Sequence, residues 1–116
     1  MLYKVGTQKE LSMLDLSVPE SVIERLSECI DILDDAYGKN RDYLKKGGYV
    51  VIAENSNDVL LIKDLIDYEN HLYEWLDEVS DYTIAMYLLG DDYAIVVAMP
   101  VNITPSIIYK RWEEIL

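Results

Sequence analysis

The chain has 116 residues, 51% of them hydrophobic, and a formal net charge of −12. Its length is that of one domain over residues 1–116, and its hydrophobic content argues against disorder. A strongly negative surface repels phosphates, which argues against direct binding to DNA, RNA or anionic membranes and favours a basic protein as partner.

The N-terminal sequence MLYKVGTQKE has no apolar leader segment, and no apolar run approaches the ~20 residues that span a bilayer. Cys29 is the single cysteine, which excludes an internal disulfide and a cysteine-based zinc site. We therefore expect a cytoplasmic protein that carries no metal and no cofactor.

The first predicted elements are a short strand at residues 2–5, an irregular stretch at residues 6–16 and a long helix. Ser17-Val18-Pro19-Glu20 is typical of a helix start, with Ser17 as cap and Pro19 in the first turn. The helix is expected to end at about Tyr37, before Gly38. Its apolar face repeats at three- and four-residue steps through Val18, Val22, Leu26, Cys29, Ile30, Leu33 and Tyr37. Cys29 on this face is interpreted as a small buried hydrophobic residue.

A loop over residues 39–48 leads into a predicted central strand at residues 49–53, which is apolar and β-branched. Ser56 or Asn57 is expected to cap the next helix. Apolar residues continue at helical spacing as far as Val79, and no Gly or Pro interrupts residues 49–89. The sequence predicts either one long helix over residues 56–79 or two consecutive helices bent near Asp67.

Two strands, residues 82–89 and 93–99, flank the turn sequence Gly90-Asp91-Asp92 and predict a hairpin. Thr104 and Pro105 open a final helix whose apolar face holds Ile108, Trp112 and Ile115. The predicted fold is a two-layer α+β single domain. It has about three helices on a mixed sheet of three or four strands, with a C-terminal β-hairpin followed by a helix.

The first long helix carries a second stripe, formed by five carboxylates on the side opposite its apolar face. Steps of three and four residues align them over ~22 Å of helix; they are Glu20, Glu24, Glu28, Asp31 and Asp35. This arrangement is either an interaction face for a basic partner, one form of which is phosphate mimicry, or the solvated side of an amphipathic helix. Like charges at this spacing repel by ~0.2–0.5 kcal/mol per pair, so the stripe lowers helix stability.

Four of the ten basic residues cluster in the following loop, at Lys39, Arg41, Lys45 and Lys46. Asp34 and Asp35 lie at the C-terminal end of the helix, where the negative end of the helix dipole disfavours carboxylates. The positive charges of Lys39 and Arg41 can offset this unfavourable interaction. The alternative is an anion-contacting loop, although the glycines that follow lead into a strand and do not match a phosphate-binding loop.

Other candidate sites are weaker. His71 is the single histidine. On a helix it would lie near Asp67 and Glu74, and the three side chains could bind a divalent metal, but no second histidine supports such a site. The pair Asp91-Asp92 is more typical of a turn than of metal ligation. With no convincing nucleophile–base set, the protein is not expected to be an enzyme.

Four short segments, ILDDAYG at residues 32–38, GGYV at 47–50, DYAIVV at 92–97 and ITP at 103–105, carry a resemblance. Together they resemble short acidic proteins carried on bacterial phages and conjugative elements. The resemblance covers most of the chain and implies a mobile-element setting, but no activity and no functional residues.

The sequence thus favours a small acidic binding module that engages a basic protein partner through its carboxylates. The alternative is a structural homo-oligomer or accessory subunit in which the acidity serves solubility. A third hypothesis is an enzyme that uses carboxylate or metal chemistry.

Overall fold

The structure is a computed structural model that describes residues 2–14, 18–43, 45, 47–66, 70–90 and 92–115, the last five of these by their backbone alone. Its helices are α1 to α4, at Gln8–Ser12, Glu20–Tyr37, Ser56–Leu65 and Ser106–Ile115. Its strands are β1 to β5, at Tyr3–Val5, Tyr49–Ile52, Leu72–Val79, Tyr82–Gly90 and Tyr93–Pro100. A short 3₁₀ turn at Val101–Ile103 joins β5 to α4.

The five strands form one mixed sheet in the order β1-β2-β5-β4-β3. The β2–β5 pair is parallel, and the other three pairs are antiparallel. The predicted α+β class, the mixed sheet and the C-terminal hairpin followed by a helix are confirmed. The sheet has five strands where three or four were expected, because β3 was assigned to a helix.

Helices cover both faces of the sheet, which corrects the expected two layers to three. One core lies between α1, α2 and the side chains of Val50 and Ile52. A second lies between α3, α4 and the side chains of Tyr49 and Val51. Alternate residues of β2 enter opposite cores because successive side chains of a strand point to opposite faces. All four β2 residues are therefore buried.

The long helix α2 matches its prediction closely. Its buried residues are Val22, Leu26, Cys29, Ile30 and Leu33. It begins directly after Pro19 and ends at Gly38, whose φ of 90° is a conformation that favours glycine. Ser17, the predicted cap, lies outside the described residues.

The segment between β1 and α2 is more ordered than expected. Residues 8–12 form α1, where an irregular stretch was predicted. The Thr7 hydroxyl caps this helix by accepting the backbone N–H of Glu10, and the Glu10 carboxylate reaches back to the N–H of Gly6. This is close to the reciprocal arrangement of a capping box, in which a threonine is followed three residues later by a glutamate.

The prediction that residues 56–79 are helical is correct for the first half and wrong for the second. Helix α3 ends at Leu65, and residues 72–79 form β3. Asn55, rather than Ser56 or Asn57, caps α3 by accepting the N–H of Asp58 at 3.0 Å. Ser80 and Asp81 form the two-residue turn from β3 to β4, both with positive φ, which is typical of a tight hairpin.

At the C-terminus, α4 begins at Ser106, one residue after the proline predicted to open it. Ile108 is fully buried, as expected, whereas the side chains of Trp112 and Ile115 lie outside the described part of the structure. No helix within the described residues is both long and apolar enough to cross a membrane.

Candidate interaction surface

The five carboxylates of α2, here called the acidic stripe, are all exposed to solvent. The stripe comprises Glu20, Glu24, Glu28, Asp31 and Asp35. At ~100° per residue these positions fall within an arc of about 80°, opposite the buried side of the same helix. The structure therefore places them together on one outward face, as the sequence predicts.

Arg25 links the acidic stripe to the edge of the sheet. Its Nη1 donates to Glu28 at 2.9 Å, and its Nη2 donates to Asp77 of β3 at 2.7 Å. The guanidinium also lies over the ring of Trp75, 4.8 Å from the ring centre. Burial opposes the charge of Arg25, but the hydrogen bonds to Asp77 and Glu28 outweigh it and raise the pKa of the guanidinium.

Gln8 of α1 contacts the stripe from its other side. Its amide nitrogen donates to Asp31 at 3.1 Å and to the backbone carbonyl of Ser27 at 2.8 Å. A shallow groove of about 370 Å³ lies between α1 and α2. Its lining is Gln8, Leu11, Ser12, Glu20, Ile23, Glu24 and Ser27. The groove thus has a polar and acidic lining with two aliphatic side chains.

The four basic residues of the loop do not form one patch. The side chain of Arg41 is buried, only 3% exposed, and forms an ion pair with Asp34 of α2. Its Nη2 donates to the backbone carbonyl of Gly6 at 2.7 Å. Lys39 is exposed, and Lys45 is exposed and 3.9 Å from Asp42. Lys46 lies outside the described residues.

The loop was expected either to balance the charge of the preceding helix or to contact an anion. The structure decides between these two interpretations for Arg41 and for no other basic residue of the loop. The pairing of Arg41 with Asp34 confirms the expected balance of charge at the end of α2. Because its guanidinium is held inside the fold, Arg41 is poorly placed to contact an external anion. Anion contact by Lys39, Lys45 and Lys46 stays a prediction.

The glycines of the loop serve the packing of the sheet. Gly48 has a φ of +89°, and a Cβ at this position would lie 1.5 Å from the carbonyl oxygen of Ala94. The neighbouring Gly47 also has a positive φ and donates its N–H to the carbonyl of Asp92 at 3.1 Å. The close approach to β5 explains why this joint contains glycine without invoking a phosphate ligand.

Three tyrosines, one within this loop and two on the neighbouring strands, form a cluster that sequence reasoning did not single out. The Tyr49 ring contacts the rings of Tyr43 and Tyr93 edge-on, with centres 6.5 and 6.2 Å away. The Tyr43 hydroxyl donates to Glu10 at 2.7 Å, and this bond, with burial, raises the pKa of Tyr43 to about 12. Burial, with the neighbouring Tyr49, raises the pKa of Tyr93 to about 12. The cluster thus anchors the loop to α1 and the sheet.

The residues considered for catalysis or metal binding are dispersed. Cys29 is fully buried, as predicted, and burial raises the pKa of its thiol to about 12. His71 precedes β3, so its predicted place on a helix beside Glu74 is wrong. Asp92 follows β4 in the turn, and Asp91 and Asp67 lie outside the described residues. Within the described part of the chain, no three acidic, histidine or cysteine side chains are grouped as a metal site.

Comparison of the chain with protein-family models, with curated proteins and with solved structures finds no match in any of the three.

Proposed function

We propose that this protein is a non-enzymatic binding module that engages a basic protein through the acidic stripe of α2. The observation that carries the proposal is the exposure of all five carboxylates on one face of one regular helix. In a phage or conjugative-element setting, the concrete form of this function is an inhibitor of a nucleic-acid-binding protein.

The spacing of the charges supports phosphate mimicry. Consecutive stripe carboxylates lie about 4.5–6 Å apart along the helix axis, and the five together span about 22 Å. One strand of B-DNA carries about six or seven phosphates over the same length, at about 3.4 Å per phosphate. The stripe therefore presents a line of negative charge of comparable length and slightly lower density.

The ion pairs support the same interpretation. Among the described residues, Glu28 is the one carboxylate of the stripe that forms a salt bridge. Its partner, Arg25, also forms a salt bridge with Asp77. Glu20, Glu24 and Asp35 project from the helix as exposed carboxylates. A basic partner would offset the mutual repulsion along the helix, so binding and helix stability would increase together.

The test is competition for a basic DNA-binding protein. A purified protein of that class, bound to a short fluorescent DNA duplex, is titrated with the wild-type chain and with the variant Glu20→Lys/Glu24→Lys/Asp35→Lys. We expect the wild type to displace the duplex, more weakly as salt rises, and the variant to lose ten- to a hundredfold in competition.

A matched control separates the stripe from net charge. The variant Glu54→Lys/Asp64→Lys/Asp92→Lys changes the net charge by the same amount at other exposed positions. If the two variants compete equally, the stripe has no special role. If neither the wild type nor the control displaces the duplex from any of several basic DNA-binding proteins, the proposal fails.

The alternative function, a homo-oligomer, is supported by a different surface. On α3, Leu60 and Leu61 are 61% and 49% exposed. An open pocket of about 330 Å³ lies beside Leu61, and its lining is Leu2, Lys4, Leu61, Asp64 and Leu65. Light scattering tests this reading: a dimer that persists at high salt and dissociates on Leu61→Glu substitution favours it, whereas a monomer at all concentrations excludes it.

A further inference from the structure

The strand β3 forms one edge of the sheet and is unusually accessible for its length. In the sheet order β1-β2-β5-β4-β3 its hydrogen-bonding neighbour is β4, on one side. Tyr73 is the one buried residue of this eight-residue strand, whereas β5 is buried at six of eight positions. An edge strand presents a row of backbone N–H and C=O groups to a further strand.

The side chains of β3 determine which strand it could accept. Glu74, Asp77 and Glu78 are acidic, and β3 contains no basic residue. Pairing of β3 with β3 of a second copy would bring carboxylates against carboxylates, which is destabilising. A bulge between Tyr73 and Trp75 further shortens the regular edge to residues 75–79. These features oppose self-association, and the same charges favour a basic segment.

The edge of β3 is continuous with the acidic stripe. Arg25 contacts Glu28 of the stripe and Asp77 of β3 at once, so the two sets of carboxylates meet at one guanidinium. The hydroxyls of Ser21 on α2 and Ser80 in the β3–β4 turn lie 2.5 Å apart. A partner bound to the stripe would therefore lie beside an accessible sheet edge.

We propose that β3 binds an extended basic segment of the partner protein by strand addition, as a sixth strand of the sheet. This inference rests on the proposed function, because it assigns the acidic surface a second element and a mode of recognition. Backbone hydrogen bonds to residues 75–79 supply affinity that is independent of sequence. Lysine or arginine side chains paired with the exposed Glu78 select a basic segment over a neutral one.

The mode requires a segment of about five residues in which basic and apolar side chains alternate. Successive side chains of an added strand point to opposite faces. On the α2 side they meet the half-buried Trp75, and on the other side they meet Leu76 and the exposed Glu78. An equally charged segment that cannot form a strand would have the electrostatic attraction without the backbone bonds.

The test compares two synthetic peptides of the same charge. One is an octapeptide of alternating lysine and valine, and the other has its two central valines replaced by proline, which lacks an N–H and interrupts a strand. Binding is measured by titration calorimetry, and amide hydrogen exchange of β3 locates it. We expect the alternating peptide to bind at least tenfold more tightly and to slow exchange of amides within residues 75–79.

Three single charge reversals complete the test, since each changes the net charge equally. Glu78→Lys removes an attraction and adds a repulsion, each worth a factor of about 1.4–5 across strands, so we expect an affinity loss of about fivefold. Asp64→Lys, on α3 across the sheet, should leave the affinity within twofold. Glu24→Lys reports on the stripe.

The outcomes separate the two proposals. If both peptides bind equally, lose affinity with Glu24→Lys and leave β3 exchange unchanged, strand addition is wrong and the stripe remains the binding surface. If the alternating peptide protects β3 and is insensitive to Glu24→Lys, strand addition stands without the stripe. If neither peptide binds, strand addition is refuted, while competition with DNA still tests the stripe by itself.

Discussion

Replacement of the buried Arg41 by alanine is expected to lower the free energy of unfolding by about 3–5 kcal/mol. The guanidinium of Arg41 is the partner of the Asp34 carboxylate, which is itself only 18% exposed, and of the buried carbonyl of Gly6. Removing one partner of a buried ion pair costs about 3–5 kcal/mol, and the lost donor to the carbonyl is included in that range. Typical domains have 5–15 kcal/mol of stability, so the variant should stay folded under mild conditions.

The assay is urea unfolding followed by circular dichroism, with Lys45→Ala as control. Lys45 belongs to the same loop, but its side chain is 84% exposed, so its removal should cost less than about 0.5 kcal/mol. In an Asp34→Asn background, the cost of Arg41→Ala should fall by about 1–3 kcal/mol, because the lost interaction is shared. A cost for Arg41→Ala equal to that of Lys45→Ala would refute the structural role assigned to this residue.

Two further predictions concern the same region. Gly48→Ala should destabilise the fold by about 4 kcal/mol or more, since its Cβ would meet the Ala94 carbonyl at 1.5 Å, whereas Gly90→Ala, with no atom within 4 Å, should have little effect in the same unfolding assay; equal effects would contradict this. The pKa of Tyr43 is raised to about 12, so its contribution to stability is complete below pH ~10 and is lost as the pH rises towards ~12. Unfolding measured across this range should show a smaller loss for Tyr43→Phe than for the wild type, and identical losses would exclude the effect.

The helical prediction for residues 72–79 failed for a reason that lies in the bulge of β3. Between Tyr73 and Trp75 the register shifts, so the alternation of buried and exposed side chains that marks a strand is interrupted. The apolar residues of this segment also stand at three- and four-residue steps in the sequence, which is the spacing of a helix face; they are Leu72, Leu76 and Val79. Pairing with β4 decides the conformation, and single-sequence periodicity does not contain that information. The residues Ser80-Asp81, which form the tight turn between β3 and β4, were the local sequence feature that indicated a hairpin.

The site was predicted unevenly for a related reason. The acidic stripe follows from periodicity within one helix, so the positions of Glu24 and Asp31 on its outer face could be derived directly. The role of Arg41 depends on Gly6, which is 35 residues away along the chain, and only its charge balance with Asp34 was accessible. The junction of Arg25 with Asp77 spans 52 residues and required the fold.

The sheet order implies a sequence of events during folding. Strands β3, β4 and β5 follow one another along the chain and pair through tight turns, so their association closes short loops. The parallel partner β2 must be brought to β5 from more than 40 residues away, through the glycine joint at Gly48. Substitutions in β3, β4 or β5 should then slow folding, whereas substitutions at Gly48 or Arg41 should chiefly accelerate unfolding. Chevron kinetics measures the two rates separately.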